Sequence, residues 1–358
     1  MRIDRLTGPE ADGFRDGFLG LMGACFSEDA AARRAEAWDW LFRAPLIVQE
    51  QEIIILVARG ADAQPIGALM LVPAMMQLGE SAWAGHQVSA IMVRAGQRGR
   101  AGLSLVRMMF QSSPRLLGTP VDARGEHTYA RYSRTTGTRQ TLHFRPLRPG
   151  RVALRRMRLG PLAAVPARLL DALWGAGVRL RRLARRPPRR LRLAPVDSFG
   201  PEFDRLWEDA RHGYPLILRR DAAYLNWRYR DFPMGGYRCL AARAGDRLVG
   251  YVVTRLSERD GRREMQVSDI FCARGARATF RALLHGAEGL ALEAGAETLS
   301  LELSRGAWPA ALLRGAGYLF RRPGKGLMLH SDVEAEQVLL ERIVEQAYFT
   351  RGDSDQDY

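Results

Sequence analysis

Three glycines at intervals of three, Gly96, Gly99 and Gly102, interleave with Arg94, Arg98 and Arg100. Glycine lets main-chain N–H groups crowd into one small space, and arginine adds positive charge around it. The chemistry this suggests is the holding of a phosphate or diphosphate. Val88, Ala90, Ile91 and Val93 precede the run as a short strand, and Leu103, Val106, Met109 and Phe110 follow at helical spacing. A helix beginning there adds unpaired N–H groups and the positive end of its dipole, a favourable place for an anion. A P-loop needs Gly-Lys-Ser/Thr at the helix start, whereas this chain has Gly102-Leu103-Ser104. A dinucleotide site wants G-x-G-x-x-G and a later acidic residue, which this spacing does not supply.

The elements around this run occur twice. His86-Gln87-Val88-Ser89-Ala90-Ile91 is echoed by Met265-Gln266-Val267-Ser268-Asp269-Ile270. Before each lies a strand pair: Leu56–Arg59 into Pro65–Ala68, and Leu240–Arg243 into Leu248–Tyr251. Earlier still, Trp38–Pro45 parallels Leu225–Pro233. The offset is 187 residues at Trp40/Trp227 and 179 at Val88/Val267, so the order holds while loops change length. Internal repetition of this kind marks a duplicated unit.

Val88–Leu103 resembles the acyl-CoA loop of the GNAT N-acyltransferases, whose pattern is Arg/Gln-x-x-Gly-x-Gly/Ala between the fourth strand and the next helix. Arg98-Gly99-Arg100-Ala101-Gly102-Leu103 matches in its Arg, with Ala101 and Leu103 where the two glycines are expected. With the repeat, the chain resembles a tandem GNAT. The Tyr224–Pro233 run resembles one in GNAT proteins of the bacterial exopolysaccharide-biosynthesis type. The implied fold is α+β, an α/β three-layer arrangement of two GNAT-like domains, each a mixed, largely antiparallel sheet flanked by helices. The expected division is an acyl-CoA-binding domain at 1–150, an Arg-rich linker at 151–192, a degenerate second domain at 193–335, and a C-terminal helix and acidic tail at 336–358.

Residues 1–45 read as helices, with Phe14, Phe18, Leu21, Met22 and Phe26 at helical spacing. Strands are expected at 53–59, 66–76, 86–93 and 116–122, then at 237–243, 248–256, 264–272 and 298–303, with a second-domain helix at 278–294. Gly125–Gly137 is expected to be the helix that in this family carries a Tyr near the departing sulfur. Tyr132 is the candidate and Tyr129 stands behind it; Tyr132 lies five residues before Gly137 rather than four, and the upstream Asn is absent. In the second half, the turn at Ala273–Thr279 keeps one glycine and Leu313 stands where the first half has Tyr132, which speaks against chemistry there. Asp269 is left either facing a shared cleft or solvated at a strand end.

The resemblance implies acetyl-CoA or another acyl-CoA as co-substrate. Main-chain N–H groups at Ile91, Met92 and Val93 would hold the thioester carbonyl, Arg98, Gly99, Arg100, Ala101, Gly102 and Leu103 the diphosphate, and Tyr132 would protonate the sulfur. No base is evident beyond His86 on the same strand, and a water relay would leave no mark. His86, His127 and His143 lack metal-ligand spacing, and no G-x-S-x-G is present, so neither a metal nor a serine-hydrolase reading is supported.

Charge is concentrated. The 358-residue chain carries +15, and residues 145–192 hold fifteen arginines against Asp171 alone, a net +14. Within this window Leu162, Val165, Leu169, Leu170, Leu173 and Trp174 form an apolar stripe expected to pack as an interdomain helix. The arginines from Arg179 to Arg192 are expected to meet an anionic membrane surface or an acidic polymer. Few interleaved aromatics and no recognition motif argue against nucleic acid. The tail from Tyr348, with three aspartates, is expected either to dock on this basic segment or to fray. Three scattered cysteines, Cys25, Cys239 and Cys272, suit a reducing compartment. The N-terminus lacks an apolar run, so a cytoplasmic protein is expected, peripheral at most to the inner membrane face.

The expected function is acetyl transfer to a primary amine, on a small molecule or saccharide such as an amino sugar or polysaccharide precursor. The rivals are a non-catalytic tandem scaffold tethered to a membrane and a Fem-type transferase using aminoacyl-tRNA. Oligomeric state is not legible.

Overall fold

Alternating apolar residues form strands where the repeat requires them, and each half follows the same order. The structure, a computed structural model, describes residues 1–42, 51–121, 123–157, 164–184, 186, 188–259, 261–321 and 326–354. The first half runs β1 (Arg2–Thr7), α1 (Gly8–Gly13), α2 (Arg15–Cys25), α3 (Glu28–Phe42), β2 (Ile54–Arg59), β3 (Pro65–Leu78) and β4 (Ser81–Val93). It continues through α4 (Arg98–Ser112), β5 (Arg115–Val121), α5 (Ala123–Tyr129) and β6 (Thr135–Pro146). Helices α6 (Pro149–Arg156) and α7 (Ala164–Ala184) connect it to the second half. There follow β7 (Leu191–Val196), α8 (Pro201–Arg211), β8 (Leu216–Leu218), α9 (Ala222–Leu225), β9 (Tyr237–Ala244), β10 (Arg247–Arg259) and β11 (Arg262–Cys272). The chain then forms α10 (Arg277–Glu293), β12 (Thr298–Ser304), α11 (Ala310–Gly315), β13 (Leu319–Arg321), β14 (Gly326–Ser331) and α12 (Glu334–Ile343).

Residues 1–45 are not all helical. β1 pairs antiparallel with β2 at the sheet edge, and Asp4 on it accepts from Arg59 at 2.6 Å. Its charges, which suit an edge strand, hide the alternation that would mark it. β7 repeats this pairing at the other edge against β9.

Among the described residues the main sheet path is β1-β2-β3-β4-β5-β14-β6-β12-β11-β10-β9-β7. Only β4/β5 and β11/β12 on this path are parallel; its other neighbours are antiparallel. The order is symmetric about its centre, with one exchange: β6 pairs with β12 of the second half, and β14 with β5 of the first. Each half thus completes the other's sheet. At the pseudo-twofold, Trp40 and Trp227 stack at 4.4 Å, and each indole N–H donates to the other's carbonyl, at 2.8 and 3.2 Å. Helices α2 and α3 cover one face of the first sheet, while Leu105, Met109 and Phe110 of α4 join Tyr129 of α5 on the other.

Gly67 and Gly250 are a matched pair that require close approach. A Cβ on either would come within 2.9 Å of the Met92 carbonyl and 2.7 Å of the Phe271 carbonyl, respectively.

The apolar stripe of the linker does not pack inward. Ala167 and Val178 turn to the protein, and the Asp171 carboxylate accepts from the Gly150 N–H at 2.6 Å. Val165, Leu169, Leu173, Leu180 and Leu183 share the opposite, exposed face; Leu173 is 74% exposed. Leu162 lies outside the described residues. No helix among the described residues is long and apolar enough to cross a membrane.

Candidate active site

The site forms where β4 parts from β5. Met70 faces Ala90 and Leu71 faces Val88, so Ser89 is an extra residue, a β-bulge in β4. The parallel pairing of β4 with β5 ends at the same point, running only from His86/Leu116 to Val88/Gly118. Beyond it the β4 edge is open. The Arg94 N–H bonds back to the Ile66 carbonyl at 2.9 Å. Antiparallel alternation therefore turns Met92 toward β3 and leaves the N–H groups of Ile91 and Val93 facing the gap. Met92, named with them from the sequence, has its side chain in the core.

A cavity of about 370 Å³ passes through the gap. Its walls include Val88–Ile91, Gly118, Thr119 and Val121 from the parted strands, Met22, Phe26, Ala30, Arg33 and Arg34 from the α2–α3 side, and Gly125 and Tyr129 from α5. Arg34, 2% exposed, donates to the Ser89 hydroxyl at 3.1 Å and so supports the bulge. The sequence reading passed over it. Its signal was a charge on the apolar stripe Ala31, Arg34, Trp38, Leu41.

The glycine run lies beside this cavity but is built differently from the expected cradle. Ala95–Gln97 make one 3-10 turn, and α4 begins at Arg98 with no side chain capping its first N–H groups. Gly96, Gly99 and Gly102 have no positive φ, so they do not fold the chain back. Instead they leave the surface of the first turn bare: a Cβ on Gly96 or Gly99 would meet nothing within 4 Å, and one on Gly102 only Val93 Cγ2 at 3.9 Å. Arg98, Gly99, Arg100 and Leu103 are exposed, whereas Ala101 is buried against the sheet. The cavity lining follows β4 as far as Ile91 and does not include this turn.

Gly125–Gly137 is not one helix. α5 ends at Tyr129, a turn carries Tyr132, and β6 starts at Thr135. The turn is held by the Ser133 hydroxyl donating to the Leu329 carbonyl of β14 at 2.6 Å. Tyr129 therefore lines the cavity, while Tyr132 is 37% exposed and stacks on Phe110 at 5.1 Å. His86 stands apart from the cavity walls. Its ring nitrogens meet the Ser113 hydroxyl at 2.9 Å and the Glu52 carbonyl at 3.1 Å, and burial lowers its pKa. It acts as a neutral tie from β4 to the loops that precede β2 and β5.

The second half repeats the bulge at Ser268, between Val253/Asp269 and Thr254/Val267, and β11 leaves β12 after Val267/Leu301. Its gap is filled by the chain's own tail. Thr350 bridges to Leu303 and its hydroxyl donates to Asp269 at 3.2 Å. Tyr348 donates to the Ile270 carbonyl, and a Cβ on Gly352 would collide with the Tyr229 hydroxyl and the Ser268 carbonyl. Arg220, fully buried, bonds Asp269 at 3.2 Å and Asp353 at 2.6 Å. Burial opposes its charge, but the two carboxylates hold it protonated. Asp269 thus faces neither a shared cleft nor solvent. The tail docks on the second half, not on the arginine segment; residues 355–358 lie outside the described residues.

No protein-family model matches the chain, and no curated protein matches its sequence. Solved structures do match it. A conserved Enterococcus faecalis V583 protein, described as a probable N-acyltransferase, aligns over 95% of this chain and 74% of its own at 10% identity, TM-score 0.58. A GCN5-related N-acetyltransferase from Anabaena variabilis ATCC 29413 aligns over 92% and 72% at 13% identity, TM-score 0.56. A tandem GNAT protein from the clavulanic acid biosynthesis pathway aligns over 92% and 97% at 14% identity, TM-score 0.51. With the duplicated bulge, the parted parallel strands and the helices on both sheet faces, the chain has the α+β fold of the GNAT N-acyltransferases in its tandem form.

Proposed function

We propose that this protein is an acyl-CoA-dependent N-acyltransferase whose reaction takes place in the first half. The observation that carries this reading is the open gap after Ser89, with a cavity running through it, beside a second gap closed by the tail. The uncapped first turn of α4, bare at Gly99 and flanked by Arg98 and Arg100, fits a diphosphate. Ile91 and Val93 would donate their N–H groups to the thioester oxygen as charge develops on it. Tyr129 would give its proton to the departing sulfur, the role the sequence suggested for Tyr132. The amine loses its proton to solvent or a water chain, since His86 is committed to structural bonds. Acetyl is the acyl group we favour, and the acceptor is a primary amine on a small molecule or saccharide, an amino sugar or a polysaccharide precursor. Arg33 and Arg34, with no acid among the cavity's lining residues, favour acceptors that also carry a negative group.

The test is thiol release from acetyl-CoA across a panel of amines. Turnover with an amino sugar, or with an amine that also carries a carboxylate or phosphate, is the expected result. No turnover with any amine supports the scaffold instead, and competition by charged tRNA supports a Fem-type transferase.

The exposed face of α7 supports a location at an anionic membrane surface on the cytoplasmic side. Five apolar residues point outward, with Arg168 and Arg179 on the same helix, the pattern of a helix lying in a lipid interface. The protein should sediment with phosphatidylglycerol vesicles and not with phosphatidylcholine vesicles. Leu169→Glu/Leu173→Glu should remove the binding; sedimentation unchanged by that variant would contradict the assignment.

A further inference from the structure

A second cavity, of about 490 Å³, lies under α7. It shares no lining residue with the first cavity, and Arg145 of β6, part of its wall, pairs with Leu299 of β12, before the second gap opens beyond Leu301. Four arginines line it, Arg145, Arg181, Arg182 and Arg281, with Glu288 as the single acid. Leu284 of α10 and Leu312 of α11 give it an apolar wall. The volume is that of a small-molecule site.

The charges are not all spent within the protein. Arg145 is 4% exposed and donates one terminal nitrogen, Nη1, to Glu288. Its other, Nη2, is buried with no hydrogen-bond partner. A buried guanidinium donor left without an acceptor is costly, and native proteins rarely keep one unless something else supplies the acceptor. Arg182 is taken up by the His285 carbonyl and lies 3.9 Å from Glu288, which ties α7 to α10 over the cavity. Arg281 is exposed on α10 and has its charge to offer.

We propose that this cavity binds a small organic anion, a carboxylate or phosphate monoester with a short alkyl body. The anionic group is attracted by Arg281 and Arg181 and, with a small shift of the Arg145 side chain, accepts from its Nη2, while the alkyl body lies against Leu284 and Leu312. The bound anion bridges β6, α7 and α10, so it fastens the linker helix to the second half.

Calorimetry on the full chain tests this with octanoate, hexyl phosphate, octanol and inorganic phosphate. Saturable binding of octanoate or hexyl phosphate is expected, about tenfold or more tighter than octanol or inorganic phosphate. The preference between the first two identifies the head group. Arg281→Glu, at an exposed position, should weaken that binding by about tenfold or more. Gly315 lines the cavity and a Cβ on it would meet nothing within 4 Å, so Gly315→Phe introduces a ring at the cavity wall without a clash at its first atom. It should abolish binding while leaving the unliganded melting temperature unchanged. Absence of saturable binding by either anion would overturn the proposal. So would affinity unaffected by both Arg281→Glu and Gly315→Phe.

Discussion

Tyr129 and Tyr132 differ by three positions in sequence and by a whole environment in space. The first closes one wall of the cavity; the second stacks on Phe110 at the surface. If proton delivery to the sulfur is made by the wall residue, Tyr129→Phe should lower kcat by about 100-fold or more while the protein stays folded and still binds acetyl-CoA. Tyr132→Phe should leave kcat within about twofold of the parent; the reverse ranking would return the role to Tyr132. Residue types and spacing brought both tyrosines into view but could not separate them. The choice is made by the turn after Tyr129, and that turn is anchored on Leu329, nearly two hundred residues later. Arg34 was readable in principle, since a charge on an apolar stripe needs a reason. The role of His86 was not, because its partners Glu52 and Ser113 come from separate loops.

At the level of elements, the duplicated strands were visible because apolar alternation repeats with fixed order. The bulges were not, although Ser89 and Ser268 sit at matched places. A bulge is a property of two strands and leaves no composition of its own. β1 was hidden by the charges that suit it to a sheet edge, and β7, which has one charge, by Pro195 and by its place at the end of the arginine run. α12 shows how a late element holds an early one. Glu336 on it accepts from Trp83 at 2.8 Å, Arg115 at 2.9 Å and Ser331 at 2.6 Å. Burial alone would raise its pKa, but these bonds outweigh burial and hold it at about 2, against an ordinary 4.5. A carboxyl with a depressed folded-state pKa stabilises the fold above its unfolded value and loses that contribution as pH falls through the folded one. The protein should therefore lose on the order of 2 kcal/mol between pH 4.5 and 2 through this group. Glu336→Gln should flatten that part of the stability–pH curve measured by urea unfolding. An unchanged slope would show that α12 is not held this way.

Over the whole molecule, the exchange of β6 and β14 makes the two halves one continuous sheet, and the stacked Trp40 and Trp227 join them at the centre. The exchange was not legible, because each exchanged strand would complete either half equally well by pattern. The tail's destination was hidden for a related reason. Its acidic residues drew attention to the arginine segment, while Asp353 meets the buried Arg220, and the tail carbonyls of Gly352 and Ser354 meet the buried Arg228. The two gaps are thus alike in backbone and opposite in state, one crossed by a cavity and the other filled. That asymmetry is the centre of the account, and the stoichiometry of acetyl-CoA binding tests it most directly. Isothermal titration should give one molecule bound per chain. Gly99→Glu/Gly102→Glu should abolish this binding with no loss of thermal stability, because both positions have room for a side chain and neither has positive φ. Two molecules per chain, none, or binding indifferent to the double substitution would contradict it.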